Sequence, residues 1–217
     1  MPSTKTDDKT YDRAYFERWY RDRANALIRG GLIERRVRLA LSAAEYLLER
    51  PVKSVLDVGC GEGSWRGHLK RLRPGLRYVG VDSSAYAVRR FGRLRNLRRG
   101  TVGGLGRLGL RGPFDLVVCS DVLHYVPTAD LARGLRAMAR LAGGVLFLEF
   151  FTREDDSEGD EAGFMPRSAV TYRRLLKAAG LVHAGLHCYV GKRFLARERA
   201  LVAFERGWAA PRRGRTG

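Results

Sequence analysis

The first fifty residues show the spacing of amphipathic helices. Aromatic residues stand at positions 11, 15, 16, 19 and 20, which places them along one face of a helix. Apolar residues recur at helical intervals from 33 to 48, and Pro51 closes this stretch. The pattern predicts helical structure from about 11 to 50, with one side available for burial.

After Pro51, short apolar runs alternate with helical patterns. The predicted strands cover residues 54–58, 77–82, 98–102, 114–120, 145–151, 181–190 and 199–205. The predicted helices cover residues 64–73, 84–94, 130–141 and 168–179. This alternation predicts an α/β fold with a mostly parallel sheet of about seven strands and helices on both faces. The linker around 191–193 is too short for a helical crossover, so the last two strands should pair antiparallel or lie apart.

Composition narrows the class of protein. The chain has 217 residues, of which 45% are hydrophobic, and this suits one globular domain with small appendages. No apolar run is long enough to span a bilayer, and the N-terminus lacks the apolar core of a secretory signal. Three widely separated cysteines make a disulfide framework or a zinc site improbable. We therefore expect a cytoplasmic protein with no metal and no membrane partner.

The net charge of +18 admits two interpretations. Such a field attracts nucleic acid and other polyanions. The alternative is genome composition, because arginine far outnumbers lysine and glycine is abundant. Residues 89–111 carry many arginines without aromatic residues interleaved for base stacking, which favours a solvated surface over a nucleic-acid interface.

A glycine-rich loop follows the first predicted strand. Gly59, Gly61 and Gly63 allow a sharp turn and a close approach to a ligand, and Asp82 ends the next strand, where it can accept hydrogen bonds from a ribose. A dinucleotide and S-adenosylmethionine (SAM) both fit this arrangement. Position 64 is Ser where the dinucleotide fingerprint has glycine, and Asp57 would repel a pyrophosphate while suiting the ammonium of SAM. These features favour SAM.

Three segments, VLDVGCGEG, YVGVD and FDLVVCSDVLHYV, resemble the class I SAM-dependent methyltransferases. The resemblance extends from about residue 11 to 205, and it is specific for the superfamily but not for the substrate. It implies a Rossmann-like fold whose last strand is antiparallel, and S-adenosyl-L-methionine as the cofactor.

The resemblance also implies cofactor-binding residues. Asp57, Gly59 and Gly61 match the first motif, around the methionine moiety, and Gly63 completes the loop. Cys60 stands within that loop as a small space-filling residue, not as a nucleophile. The remaining matches are Asp82 at the ribose, Ser83 beside the adenine, and Ser120 with Asp121 at the methionine end. Where many relatives have an acid near the adenine, this chain has residues 102–105, so Gly104 and Leu105 are expected to offer backbone groups.

A general base is needed only if the acceptor holds a proton that it does not lose unaided. His124 is the first candidate, since it follows a strand end and its ordinary pKa lies near neutrality, and a loop histidine with satisfied partners is an equal alternative. Tyr125 and Glu149 are the next candidates. The candidate acceptor contacts are Tyr15, Trp19 and Tyr20 in the N-terminal helix, and Phe164 and Arg167 in a segment after the fifth strand.

We therefore predict a helical lid at 1–50, a SAM-binding methyltransferase domain at 51–206 with an insert at 152–172, and a basic tail at 207–217. The predicted activity is methyl transfer from SAM to a small-molecule acceptor. An RNA methyltransferase and a non-catalytic SAM-binding protein remain as alternatives. The methylated atom and the oligomeric state stay open.

Overall fold

The computed structural model describes residues 9–22, 31–156, 160 and 162–195. Two helices lie at the N-terminal end of the described chain: α1, Arg13–Tyr20, and α2, Leu32–Leu48. Helix α1 begins where the Asp12 carboxylate accepts a hydrogen bond from the backbone N–H of Tyr15 at 2.9 Å, as expected of an N-cap residue. The helical pattern from 11 to 50 thus forms two separate elements.

Seven strands form one sheet. They are β1 Ser54–Val58, β2 Arg77–Asp82, β3 Leu97–Arg99, β4 Phe114–Ser120, β5 Ala142–Glu149, β6 Leu181–Gly185 and β7 Cys188–Gly191. Their order is β3-β2-β1-β4-β5-β7-β6, and β1 to β5 are mutually parallel. Strand β7 is antiparallel to both β5 and β6, between which it lies. The predicted Rossmann-like sheet with an antiparallel last strand is confirmed.

Helices cover both faces of the sheet. They are α3 Ser64–Leu72, α4 Ala85–Arg95, α5 Thr128–Leu141, α6 Ala169–Ala178 and the short α7 Lys192–Leu195. One apolar cluster joins α2 and α3 to the sheet, and a second joins α5 and α6 to its other side. Because both faces are covered, the central strands are buried along their length: all five residues of β1 are buried, including the polar Ser54 and Asp57.

The C-terminal strands differ from the prediction. The apolar stretch 181–190 is not one strand, because Leu186 and His187 have positive φ angles and turn the chain between β6 and β7. The segment around 191–193 is therefore no hairpin linker, and Lys192 begins α7. The strand predicted at 199–205 lies outside the described residues, as does the tail at 207–217.

The N-terminal helices also differ in their positions. Helix α2 buries Val37, Ala40 and Ala44 completely against the sheet, so it belongs to the core of the domain. Only the segment 11–20 lies above the carboxyl ends of the strands. The lid predicted for 1–50 is thus restricted, within the described residues, to α1 and the residues just before it.

Candidate functional site

A cavity of about 260 Å³ opens at the carboxyl ends of β1, β2 and β4. The strand order reverses between β1 and β4, which is where open α/β sheets bind ligands. Five segments form the wall: α1 with Tyr11, the loop after β1, the end of β2, the loop after β3, and the chain after β4. The lining residues are Tyr11, Tyr15, Phe16, Tyr20, Gly59, Gly61, Asp82, Ser83, Gly100, Thr101, Val102, Gly103, Ser120, Asp121, Val122, Tyr125, Val126, Pro127 and Asp130.

The glycine loop fits closely between its neighbours. Gly59 has a φ of +74°, and a Cβ atom there would lie 2.4 Å from a methyl carbon of Val122. Gly61 has a φ of +54°, and its Cβ would lie 2.6 Å from the Tyr20 hydroxyl. Glycine is required at both positions, because a side chain meets both backbone strain and steric overlap. Both predicted loop glycines lie on the cavity wall.

Asp82 is a buried carboxylate at the edge of this loop, with 8% of its surface exposed. Oδ2 accepts a hydrogen bond from the Gly61 N–H at 2.7 Å, and Oδ1 accepts one from the Ser84 N–H at 2.8 Å. Burial raises the pKa of Asp82, and the two N–H donors oppose this effect. Each oxygen keeps acceptor capacity toward the cavity, which fits the two hydroxyls of a ribose. Ser83, the predicted neighbour of the adenine, also lies on the wall.

Asp57 lies beneath the loop and not on the cavity wall. It is 2% exposed, and its Oδ2 accepts a hydrogen bond from the Tyr78 hydroxyl at 2.7 Å. Burial raises the pKa of Asp57 to about 7, although the Tyr78 bond opposes the shift. The predicted contact between Asp57 and the ammonium of SAM stays a prediction, and the observed geometry assigns Asp57 to support of the loop.

Two other loop residues are also set back from the cavity. Cys60 is buried, with its pKa raised by burial, and its sulfur would lie 2.7 Å from a Cβ at Gly80. The space-filling interpretation therefore suits it better than a contact with cofactor. Gly63 has a φ of +77° and starts α3, so its part is to turn the chain.

The residues of the loop after β3 that line the cavity precede the predicted residues in the sequence. Thr101, Val102 and Gly103 line the wall, whereas Gly104 does not and Leu105 is 1% exposed in the core. The expected backbone contacts of Gly104 and Leu105 with the cofactor stay a prediction, and the cavity wall favours residues 101–103 for such contacts. The reason is that β3 ends at Arg99, which shortens the predicted strand.

An acidic side chain does reach this end of the cavity. Asp130, in the first turn of α5, lies on the wall and forms an ion pair with Arg133. It comes so close to Gly103 that a Cβ there would overlap its carboxylate. Sequence motifs missed Asp130 because it belongs to a helix whose approach to the β3 loop is set by tertiary packing.

His124 is not placed to act as a base. Its side chain is 1% exposed, and Nδ1 accepts a hydrogen bond from the Phe151 N–H at 3.3 Å. Nε2 then carries the proton and faces Asp121 Oδ1 at 3.5 Å. Burial, helped by the nearby cations Lys9 and Arg167, lowers the pKa of His124 to about 4. His124 is therefore a buried histidine behind the cavity wall, and its role as a base stays a prediction that this geometry does not favour.

The polar atoms of Glu149 and Tyr125 are also occupied by hydrogen bonds within the protein. Glu149 Oε1 accepts from Arg36 Nη2 at 2.8 Å, and Oε2 accepts from the Ser120 hydroxyl at 2.5 Å, so Glu149 fixes Ser120 at the wall. The Tyr125 hydroxyl donates to the Asp160 carbonyl at 2.6 Å, and burial raises its pKa, which keeps it a phenol. Tyr125 lines the cavity, but neither residue is a free base.

The predicted acceptor contacts divide into two groups. Tyr15 and Tyr20 of α1 line the cavity, together with Phe16. Trp19 points elsewhere on the same helix, where Arg18 lies 5.1 Å from its ring centroid. Phe164 packs against the His124 ring at 5.4 Å and does not line the cavity.

Arg167 does not line the cavity and instead binds backbone of the chain that follows β4. It is 8% exposed, and its guanidinium donates to the carbonyls of Leu123 and Val126 and to the Thr128 hydroxyl. The arginine thereby fixes the chain that follows β4, including the part that forms the cavity wall.

The sequence analysis did not predict Tyr11, Val122 or Val126 as site residues. Tyr11 belongs to the aromatic stripe at positions 11–20, and this membership is the signal that could have included it among the acceptor contacts. Val122 and Val126 had no such signal, because loop valines are common and their direction depends on the turn at Leu123–Tyr125.

A mostly parallel sheet that sets a strained glycine loop and a buried carboxylate around one cavity is the arrangement of a class of proteins, the Rossmann-like SAM-dependent methyltransferases. A model of the family described as "Methyltransferase domain" matches residues 28–200. The chain belongs to this family.

The curated proteins that this chain is similar to are named for several different acceptors. The chain is 34% identical over 121 residues to a malonyl-[acyl-carrier protein] O-methyltransferase of Magnetococcus marinus, covering 52% of this chain and 44% of that protein. It is 33% identical over 116 residues to a trans-aconitate 2-methyltransferase of Deinococcus radiodurans, covering 49% and 41%. The chain thus spans less than half the length of these relatives, and the similarity does not identify its acceptor.

Solved structures agree on the fold. One is CalS10, an amino pentose methyltransferase from Micromonospora echinaspora with SAM bound, with a TM-score of 0.58 at 18% identity, covering 74% of this chain and 91% of that chain. Another is the plantazolicin methyltransferase BamL with SAH bound, with a TM-score of 0.57 at 17% identity, covering 70% and 66%. Within the described ranges, no helix of this chain has the length and apolarity needed to cross a membrane.

Proposed function

We propose that this chain transfers a methyl group from SAM to a small-molecule acceptor. The observation that carries the proposal is the aromatic wall of the cavity: Tyr15, Phe16 and Tyr20 of α1 line it together with the glycine loop and Ser120. A concave pocket lined by aromatic and small polar groups is typical of small-molecule sites. An RNA acceptor would need an open, basic groove, and the residues described as lining this cavity include neither lysine nor arginine.

Different residues of the cavity wall would bind different parts of SAM. Asp82 and Ser83 would hold the ribose and adenine end, while Gly59 and Gly61 would allow the methionine end to lie against the backbone. SAM supplies an electrophilic methyl group on a sulfonium, so the protein need not activate the carbon. The contribution of the chain is then to orient the acceptor and exclude water, and orientation alone can be worth roughly 7–11 kcal/mol of the barrier.

No described side chain on the cavity wall is arranged as a strong general base. The phenols of Tyr11 and Tyr125 have raised pKa values because they are buried, and His124 is set behind the wall with both nitrogens engaged. Asp121 is the carboxylate nearest the acceptor end, and burial raises its pKa too. This arrangement supports an acceptor that is nucleophilic without removal of a tightly held proton.

The test uses isothermal titration of the full chain with S-adenosylhomocysteine. Asp82→Asn keeps the shape of the side chain and should weaken binding by about 1.5–3 kcal/mol, the range for hydrogen bonds to a charged group. Asp156→Asn, at an exposed position, serves as the matched control. Absence of any binding by the unchanged chain would refute the proposal.

The transfer step is tested separately. The chain is incubated with methyl-labelled SAM and either a metabolite extract or total RNA, and the labelled products are identified by mass spectrometry. Labelled metabolite without labelled RNA is the expected result. Binding of S-adenosylhomocysteine without labelled product would support a non-catalytic SAM-binding protein instead.

A further inference from the structure

Lys9 occupies an aromatic cage. Its Nζ lies 3.6 Å from the ring centroid of Tyr125, 5.4 Å from that of Tyr11 and 5.5 Å from that of Tyr15. The Asp160 carboxylate lies 2.5 Å from the same nitrogen. Faces of aromatic rings together with a carboxylate are the groups that recognise an ammonium ion.

The cage is enclosed and internally braced. The side chains of Lys9 and Asp160 are only 11% and 8% exposed. The Tyr125 hydroxyl donates to the Asp160 carbonyl at 2.6 Å, and the rings of Tyr11 and Tyr15 pack edge to face at 5.0 Å. A lysine side chain buried to this depth is unusual, and the rings and the carboxylate offset part of the cost of removing its ammonium from water.

The cage belongs to the wall of the cavity. Tyr11, Tyr15 and Tyr125 all line it, on the side of Asp121 and Ser120. Asp121 is close enough to influence the titration of Lys9, so a second carboxylate faces the same region. A positively charged group at the acceptor end therefore meets three ring faces and two carboxylates, and no described residue of the wall is basic.

We propose that this cage, Tyr11, Tyr15, Tyr125 and Asp160, is the subsite for an amine-bearing acceptor, and that Lys9 holds the place of the acceptor nitrogen. The inference rests on the proposed function and specifies its acceptor class. It makes nitrogen the methylated atom, which distinguishes this chain from the relatives named as O-methyltransferases.

The chemistry of an amine suits the surroundings. The nitrogen lone pair forms the new C–N bond while the C–S bond breaks, and the electrons of that bond remain on sulfur, which becomes a thioether. The nitrogen must be neutral to attack, so the ammonium proton leaves beforehand to Asp121 or to water. Burial in the cage lowers the pKa of Lys9 against the opposing effects of Asp160 and Asp121, so the same surroundings favour the neutral form of an amine. No strong base is then required.

The test measures binding of a cation in place of the unidentified acceptor. The probes are tetramethylammonium and its neutral counterpart of similar size, tert-butanol, each titrated into the full chain saturated with S-adenosylhomocysteine and followed by NMR. Lys9→Ala vacates the cage. It should bind tetramethylammonium at least about tenfold more tightly than the unchanged chain, and more tightly than tert-butanol. The additional change Tyr125→Leu should remove that gain, and Lys177→Ala, an exposed lysine on α6, should behave as the unchanged chain.

The outcomes separate the two proposals. If S-adenosylhomocysteine binds but Lys9→Ala shows no preference for tetramethylammonium, the amine subsite is refuted while the proposed function stands. If S-adenosylhomocysteine does not bind, the proposed function itself fails. A methyl group found on Lys9 after incubation with SAM would also overturn the inference, because the cage would then serve the chain's own lysine.

Discussion

The two ends of the cavity are held together in different ways. At the cofactor end, Gly61 donates to Asp82 and Gly59 donates to Val81, so neighbouring strands and their loops supply the contacts. At the acceptor end, Arg36 bonds to Glu149 across 113 positions, and Lys9 pairs with Asp160. The first end depends on backbone shape within one βαβ unit, and the second depends on side chains from distant segments.

This difference teaches that the two ends can change independently. Substitutions that add atoms to the glycine loop disturb the backbone on which the cofactor rests, whatever the acceptor is. Substitutions in the insert at 152–172 alter side-chain contacts over the acceptor and leave the β1 loop in place, whereas substitutions at Phe16 or Tyr20 of α1 also reach Gly61. We therefore expect large effects on stability and cofactor binding at one end, and smaller, more selective effects at the other.

The largest effect is expected for Gly59→Ala. The new Cβ meets Val122 at 2.4 Å in a left-handed backbone conformation, which combines overpacking with strain. The free energy of unfolding in urea should fall by about 2–4 kcal/mol, and S-adenosylhomocysteine binding should be lost. Gly109→Ala is the matched control, because its φ of +59° carries the strain while nothing lies within 4 Å. Equal losses for both variants would mean that the loop does not fit closely around Val122.

The next effect concerns pH. The pKa of Asp57 rises from 3.8 to about 7 on folding, so the folded chain binds this proton more tightly than the unfolded chain. The contribution of Asp57 to stability is therefore complete below about pH 4 and is lost as the pH rises toward 7. Asp57→Asn should remove that decline, which is on the order of 4 kcal/mol. Urea unfolding across this pH range measures it, and a decline that persists in Asp57→Asn would assign the titration to another group.

A moderate effect is expected at the acceptor end for Arg167→Met. The change leaves the carbonyls of Leu123 and Val126 without their charged donor, and the free energy of unfolding should fall by about 2 kcal/mol. Arg174→Met, exposed on α6, should change it by less than about 0.5 kcal/mol. S-adenosylhomocysteine affinity should remain near that of the unchanged chain; a large loss would show that the two ends are coupled.

The sequence predicted the cofactor end better than the acceptor end for a physical reason. The spacing of a strand, a glycine loop and a helix fixes where Gly59, Gly61 and Asp82 lie, because parallel strands present their carboxyl ends at one edge. The contacts of His124 and Glu149 come from Phe151 and Arg36, which no local pattern connects to them. The pairing of Lys9 with Asp160 is equally invisible in the sequence, since it appears only once α1 and the insert meet over Tyr125.

The sequence pattern did not predict the turn between β6 and β7, for a different physical reason. Leu186 and His187 adopt left-handed conformations, which are uncommon for residues other than glycine. The apolar pattern from 181 to 190 therefore predicts one long strand, and the predicted turn to the next strand falls after residue 190. Pairing of β7 with β5 and β6 stabilises the turn through the sheet, which a local propensity does not register.

The smallest effect is expected for His124→Asn. The Asn side-chain carbonyl can take over the acceptor role of Nδ1 toward the Phe151 N–H, so a structural role is preserved while a basic imidazole is lost. Any measured methyl transfer, and binding of S-adenosylhomocysteine, should change by less than about threefold, or about 0.7 kcal/mol. His124→Leu, which offers no acceptor, should be less stable than the Asn variant by about 1–3 kcal/mol.

NMR titration of the unchanged chain should show His124 neutral at every pH well above its pKa of about 4. A His124 resonance that titrates near neutrality, together with a large loss of transfer in the Asn variant alone, would restore His124 as the base and would make the acceptor end a catalytic device rather than a binding surface.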